Sequence, residues 1–237
     1  MAKIELKNTN IYLRDGLATS GMLGAEAGVA GDTELNVDGG GFVVPVGMLF
    51  QIVGSDRLHR VTAQTDAAGE TTNMVFTPAL SAATLDNAVI TVNGRSVLVK
   101  VGDGNLTWTE NREFDYDLDR GVLDTVRSGD DQPMEVNLDL VYEFITAVTG
   151  GSADPTVNDA LKNTGQASTW VTASADACEP YAVDLVLEQA QPCTGVEPEL
   201  IIFPDFRYES LAHDTDEATI SMSGRCNATQ PTVTRQS

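Results

Sequence analysis

Apolar residues in this chain recur at every second position far more often than at helical spacing. In Met134-Glu135-Val136-Asn137-Leu138-Asp139-Leu140 the apolar members are all even-numbered, and Ala218, Ile220 and Met222 alternate with Thr219, Ser221 and Ser223. Val97, Val99 and Val101 likewise share one parity. Successive side chains of a strand point to opposite faces, so a period of two predicts half-buried β-strands and a mostly β fold. Hydrophobic residues make up 42% of the 237 residues, enough for a buried core in one large domain or a domain plus a small module.

The pattern divides the chain into three parts. Residues 1–41 are expected to hold a first strand over 3–13, with Ile4, Leu6, Ile11 and Leu13 as its apolar members, followed by a glycine- and alanine-rich loop or arm over 14–41. Residues 42–93 are expected to form a small inserted β module. Four short strands, Val44 to Val53, Leu58 to Gln64, Thr72 to Thr77 and Ala88 to Val92, are separated there by turn residues, and so many short strands suggest a small barrel or sheet. Residues 94–237 are expected to form the main domain, a β-sandwich or barrel. One change of period falls inside it. Leu140, Val141, Phe144, Ile145 and Val148 take helical spacing before Gly150-Gly151, which predicts a flanking α-helix at about 139–149. After a polar linker near 151–156, Val157 to Lys162 is a candidate helical turn. Val183 to Leu187, Leu200 to Phe203 and Ala218 to Ser223 supply the closing strands, and the polar tail from Asn227 is expected to be mobile.

Charge and missing motifs narrow the function. Against 35 acidic residues stand 14 lysines and arginines, a net charge of −21. Such a surface repels phosphate and argues against an ordinary nucleic-acid binder, while also serving solubility. The alternating N-terminus has no apolar segment of the signal-peptide kind, and no apolar run approaches membrane-spanning length, so folding in the cytoplasm and no membrane association are expected. The two histidines, His59 and His213, lie outside any zinc spacing with the cysteines and are expected to play local structural roles. There is no nucleophile elbow or Walker loop, and Gly39-Gly40-Gly41 lacks the strand and helix of a dinucleotide site. No catalytic residue, cofactor or metal is therefore expected, and the chain reads as a non-enzyme. A carbohydrate-binding or hydrolytic β-domain is the distant alternative, which would need fixed paired carboxylates or an aromatic cleft.

One segment stands out chemically. Glu113, Asp115, Asp117 and Asp119 alternate with Phe114, Tyr116 and Leu118. The spacing is not that of an EF-hand, because Arg120 stands where glycine is needed and Val126 where the closing glutamate is needed. As a strand it sets carboxylates about 7 Å apart on one face and an apolar face, expected to pack on a core, on the other. A row of like charges is either an ordinary solvated face or one kept for a function, and its self-repulsion favours the second. The cysteines, Cys178, Cys193 and Cys226, are too few for a disulfide scaffold and are expected to be reduced. Cys178 and Cys226 could pair only if their strands are antiparallel neighbours.

Several blocks, in order, resemble the tail tube (major tail) proteins of long-tailed, non-contractile bacteriophages. These are Leu106 to Glu110, Asp119-Arg120-Gly121-Val122-Leu123-Asp124 through Met134, Val136 to Ile145, Cys178 to Leu185, Phe203-Pro204-Asp205-Phe206-Arg207-Tyr208-Glu209-Ser210, and Ser223 to Asn227. The resemblance covers roughly 1–15 and 95–230. Residues 43–93, through Val46 to Gly54, His59 to Thr62 and Phe76 to Leu80, resemble a small β module that recurs in phage head and tail proteins. The resemblance implies a β-sandwich flanked by a helix, homo-oligomeric rings, hexameric in expectation, that stack into a tube, and a virion location in the tail after assembly in the host cytoplasm. Tail partners would include terminator, distal tail and tape-measure proteins, and phage DNA would pass through the lumen without specific binding. Glu113, Asp115, Asp117 and Asp119 become the candidate lumen-facing row, and the 14–41 and 120–133 segments candidates for ring-to-ring contact. A capsid decoration or head-tail joining protein is the alternative within the virion.

Overall fold

The computed structural model describes residues 9–17, 19–38, 43–44, 46–55, 57–99, 105–141, 155–176, 178–189 and 199–235. The fold is mostly β. In chain order the strands are β1 (Thr9–Arg14), β2 (Thr19–Gly24), β3 (Glu34–Asp38), β4 (Met48–Ile52), β5 (His59–Ala67), β6 (Glu70–Thr77), β7 (Val89–Val99), β8 (Leu106–Thr109), β9 (Arg112–Asp119), β10 (Val122–Asp131), β11 (Met134–Val141), β12 (Val183–Gln189), β13 (Glu199–Asp214), β14 (Thr219–Cys226) and β15 (Thr232–Arg235), with helix α1 at Val157–Lys162.

The first unit is a closed six-stranded barrel. Its strands run β2-β3-β6-β5-β4-β7, and pairing of β2 with β7 closes the circuit. Inward residues Met22, Leu35, Val37, Phe50, Ile52, Val61, Met74, Phe76, Ile90 and Val92 fill it as one apolar cluster. Closure removes the open edges that a short sheet would otherwise expose. The barrel therefore starts at Thr19 rather than at residue 42, since β2 and β3 come from the segment expected to be a loop. The alternation of Leu35 and Val37 in β3, both buried, is the sequence signal for it. His59 sits fully buried between Phe50 and Phe76, and its ring nitrogens meet the Ser55 hydroxyl at 2.9 Å and the Pro78 carbonyl at 2.8 Å, a local structural role.

Strand β7 belongs to both units. Val89 to Val92 pair with β2 and β4 in the barrel, and Ser96 to Val99 pair with β1 in the second unit. The crossing point is Gly94, whose φ of +95° and approach to Asp15 (an added Cβ would lie 2.5 Å from the Asp15 carbonyl oxygen) admit no side chain. Asp15 itself is buried and organises the crossing. Its carboxylate accepts from the Arg95 backbone N–H at 2.7 Å, the Arg95 Nε at 2.8 Å, and the N–H groups of Leu17 and Val171 at 3.3 Å each. The Arg95 guanidinium continues to the Thr169 hydroxyl and carbonyl.

The second unit is a sandwich. Strand order β7-β1-β12-β13-β14-β11-β8 is continuous because the long β13 serves two sheets. Its first half, Glu199 to Phe206, pairs with β12 and with β15, and its second half, Phe206 to Asp214, pairs with β14. The chain bends between them at Pro204-Asp205, where Asp205 has φ of +52°. The two inner faces meet in one core containing Ile11, Leu13, Leu185, Leu187 and Phe203 from one sheet and Met134, Val136, Leu138, Leu140, Ile220 and Met222 from the other. Helix α1 covers this core with Ala160 and Leu161 and is started by a capping box in which Thr156 and Asp159 satisfy each other's backbone N–H groups.

Two expectations need correction, and the conditional pairing of two cysteines is not met. Asp139, Leu140 and Val141, assigned to the helix at about 139–149, end strand β11 instead, in register with Ser221, Ile220 and Thr219 of β14; residues 142–149 lie outside the described residues. Cross-strand pairing of an already buried Leu140 outweighs its helical spacing to Phe144. The tail from Asn227 is not free, since Thr232–Arg235 adds β15 to the first half of β13. Finally, Cys178 and Cys226 are both free thiols. β13 separates β12, which follows Cys178, from β14, which Cys226 ends, so the neighbour condition for pairing fails. Burial pushes the Cys226 thiol up to about 12, as expected of an inert core thiol. Cys193 lies outside the described residues.

A small apolar cluster, Tyr12, Leu49, Leu58, Val186 and Leu200, joins barrel to sandwich and surrounds Glu188. The Glu188 carboxylate accepts from the Tyr12 hydroxyl at 3.3 Å and the Asn10 amide at 3.5 Å. Burial raises its pKa, opposed by those hydrogen bonds, by the Leu58 N–H and by Arg57. A raised folded-state pKa means that the stability tied to this group is fully present below the ordinary value near 4.5 and is lost as pH rises through the raised value. Glu188→Gln should therefore flatten the decline of the melting temperature as pH rises above 4.5. Parallel wild-type and variant curves over that range would rule the effect out.

Candidate functional site

The segment singled out by its alternating aspartates forms β9, and β9 pairs with β10 in a two-stranded sheet separate from barrel and sandwich. The turn between them is the dipeptide Arg120-Gly121, with φ of +51° and +85°, the paired positive values a type I′ hairpin turn requires. Strand β10 was not anticipated; 120–133 was expected to be a loop. Its alternation is broken by irregularities between Leu123 and Thr125 and between Ser128 and Asp131, which hide the period of two.

The register defines two unlike faces. Asp119 lies opposite Val122, Asp117 opposite Thr125 and Asp115 opposite Arg127, which gives the acidic face. Leu118 lies opposite Leu123, Tyr116 opposite Val126 and Phe114 opposite Ser128, which gives the apolar face. That face was expected to pack on a core, and it does not. Phe114 is 49% exposed, Tyr116 59%, Leu118 63%, Leu123 65% and Val126 56%. β9 and β10 pair with each other and with no strand of barrel or sandwich, and the base of the hairpin meets the body where the Arg112 guanidinium donates to the Gln230 amide oxygen at 3.5 Å.

The four predicted acidic residues are thus brought together as a row. The Arg127 guanidinium lies 3.3 Å from the Asp117 carboxylate, which also accepts from the Thr125 hydroxyl at 3.2 Å. The Gln132 amide donates to Glu113 at 3.0 Å, and Arg120 stands 4.0 Å from Asp119. These contacts are exposed and screened, each worth about 0–1 kcal/mol. Set along one strand, the carboxylates diverge rather than converge on a point. Among the described residues no group of three or more His, Cys, Asp or Glu side chains is arranged to hold a metal ion.

A second polar surface escaped the sequence reading. The outward face of β8, β11, β14 and the second half of β13 carries Thr107, Asn137, Asp139, Ser221, Ser223 and Ser210 in adjacent register rows. It is hydroxyl- and amide-bearing, and at one end Arg207 lies opposite Arg225, each paired with carboxylates, Arg207 with Glu179 at 2.6 Å and Arg225 with Glu135 at 3.4 Å and Glu209 at 3.7 Å. Its signal is the set of odd-numbered residues of β11 and β14, which alternate with the buried even-numbered ones. Near that end Glu179 accepts from the Ser174 hydroxyl and the Arg207 guanidinium, both at 2.6 Å, and these two bonds hold its carboxyl below the usual range.

Fold and site together define a mostly β, two-unit protein with an amphipathic hairpin arm. Among the described residues no helix is long and apolar enough to cross a membrane. No family model, curated protein or solved structure matches the chain.

Proposed function

We propose that this chain is a non-enzymatic structural subunit of a bacteriophage tail tube, polymerising as stacked rings around a negatively charged conduit for DNA.

 The rings are expected to be hexameric, as the resemblance of the sequence blocks to tail tube proteins implies. The observation that carries this reading is the β9–β10 arm. A lone two-stranded hairpin is marginal in water, and this one exposes five large apolar side chains on a single face. Such an arm is completed by another chain, which is what a subunit of a polymer requires. Covering the apolar face leaves Glu113, Asp115, Asp117 and Asp119 as the solvent face of the arm, so this row is the proposed DNA-facing surface. The polar face around Asn137, Asp139, Ser221 and Ser223 suits a wall that DNA must slide past without adhering. With a net charge of −21 per subunit, phosphate is repelled at short range, within the screening length of about 8 Å at physiological salt.

The test is the triple variant Asp115→Asn, Asp117→Asn, Asp119→Asn, carried in assembled particles. Tubes of normal length with slower or incomplete DNA ejection are expected. Normal ejection kinetics through normal tubes would remove the row from the conduit, and failure of tubes to form would make it an interface element.

A further inference from the structure

We infer that the junction between barrel and sandwich is a proton-operated latch, closed while the Glu188 carboxyl holds its proton and released when it ionises. Glu188 lies on β12, where the sandwich meets the barrel corner between β4 and β5. Tyr12, Val186 and Leu200 from the sandwich and Leu49 and Leu58 from the barrel form the buried cluster around it. The side chain is itself buried, and none of the ion pairs among the described residues includes it.

Its surroundings suit a neutral carboxyl. Strand β1 faces it with the Asn10 amide and the Tyr12 hydroxyl, both directed at Oε2. Burial and the Glu188 charge push the Tyr12 hydroxyl up, so it stays an uncharged donor. Strand β13 faces it with Leu200, its register partner, and with Ile202, neither of them charged. The barrel faces it with Leu49, the Leu58 N–H and Arg57, while Arg60 bears on Tyr12. His59 points away, into the barrel core between Phe50 and Phe76. The Arg57 guanidinium acts on Glu188 only through space and is bonded to the Ala79 carbonyl of the barrel at 3.4 Å. An ionised carboxylate has about four lone-pair sites to satisfy and is costly away from water without a paired cation. It regains water when the barrel corner carrying Arg57 and Leu58 lifts from the sandwich. The units stay joined through β7, where Ser96 donates to the Gly47 carbonyl at 2.9 Å and Arg95 pairs with Asp15, so the corner swings about the shared strand. Burial raises the Glu188 carboxyl above its ordinary 4.5 in the closed state. Closure is therefore fully favoured below that ordinary value and weakens as pH rises through the raised one.

Pulsed electron–electron distance measurement on the full-length chain tests the latch. Nitroxides are attached at Thr72→Cys in the barrel and Ser221→Cys in the sandwich, both exposed positions, with Cys178→Ser and Cys193→Ser. Labelled copies are diluted into unlabelled ones, so that only distances within a copy are read. Wild type at about pH 5 is expected to give one distance. Towards about pH 8 a second should grow in, its ratio to the first rising by up to about tenfold per pH unit, the limit set by one proton. Glu188→Gln, neutral at every pH, should keep the single distance throughout. An unchanged wild-type distribution across this range would overturn the latch. The same second distance appearing in Glu188→Gln would also overturn it, by assigning the movement to another titrating group.

Discussion

Replacing Tyr116 and Leu118 together by aspartate is expected to abolish polymerisation while leaving the folded subunit almost as stable as before. Both side chains are more than half exposed, and the hairpin that carries them packs on neither core. Exposed substitutions of this kind change stability by about 0.5 kcal/mol or less, which for a chain of this size corresponds to roughly 2 °C in melting temperature. Assembly should respond far more strongly. Each central apolar anchor of an interface contributes about 2 kcal/mol, so losing two raises the concentration needed for assembly by roughly a thousandfold. The added charges also repel an acidic neighbour. Sedimentation of the variant and wild type across a concentration series measures the effect. The conservative pair Tyr116→Phe and Leu118→Met keeps the apolar face and should assemble. Unaltered assembly by the aspartate variant would show that the arm is not what joins the subunits.

The opposite pattern is expected at Asp15. Asp15→Ala should destabilise the fold by about 3–5 kcal/mol, the cost of leaving one member of a buried ion pair without its partner. The carboxylate is buried and serves the Arg95 guanidinium and three further backbone N–H groups drawn from β7 and from the segments at Leu17 and Val171. Removing it strands these donors at the crossing where barrel and sandwich share β7. For a protein of this size the melting temperature should fall by roughly 10 °C. Thermal and urea denaturation followed by circular dichroism provide the measurement. A variant that unfolds within 2 °C of wild type would mean that the node contributes orientation alone.

These two sites show what was legible in the sequence and what was not. The β class followed from alternation, and most of the expected strands lie on observed ones. Where the sequence misled, the reasons were physical. The alternation in β10 is broken by two irregularities, so a strand looked like a loop. β2 is glycine-containing and β3 only five residues long, so their share in closing the barrel is visible only in the pairing with β7 and β6. Leu140 and Val141 carried both a strand period from one side and a helix period from the other, and the β14 partner decided between them. The acidic row of β9 was evident residue by residue. That its apolar partners Phe114, Tyr116 and Leu118 would lie uncovered was not, because alternation reports that two faces differ and not what covers either one. The Asp15–Arg95 node was equally invisible, since it joins residues 80 positions apart through a crossing set by Gly94.

The acidic conduit itself is tested most directly by electron microscopy of the purified chain at high concentration, alone and beside tail partners. Hollow tubes built of stacked rings are expected, with the hairpin arms spanning neighbouring copies and the Glu113 to Asp119 row toward the lumen. Monomers alone under both conditions, with no rings, would contradict it.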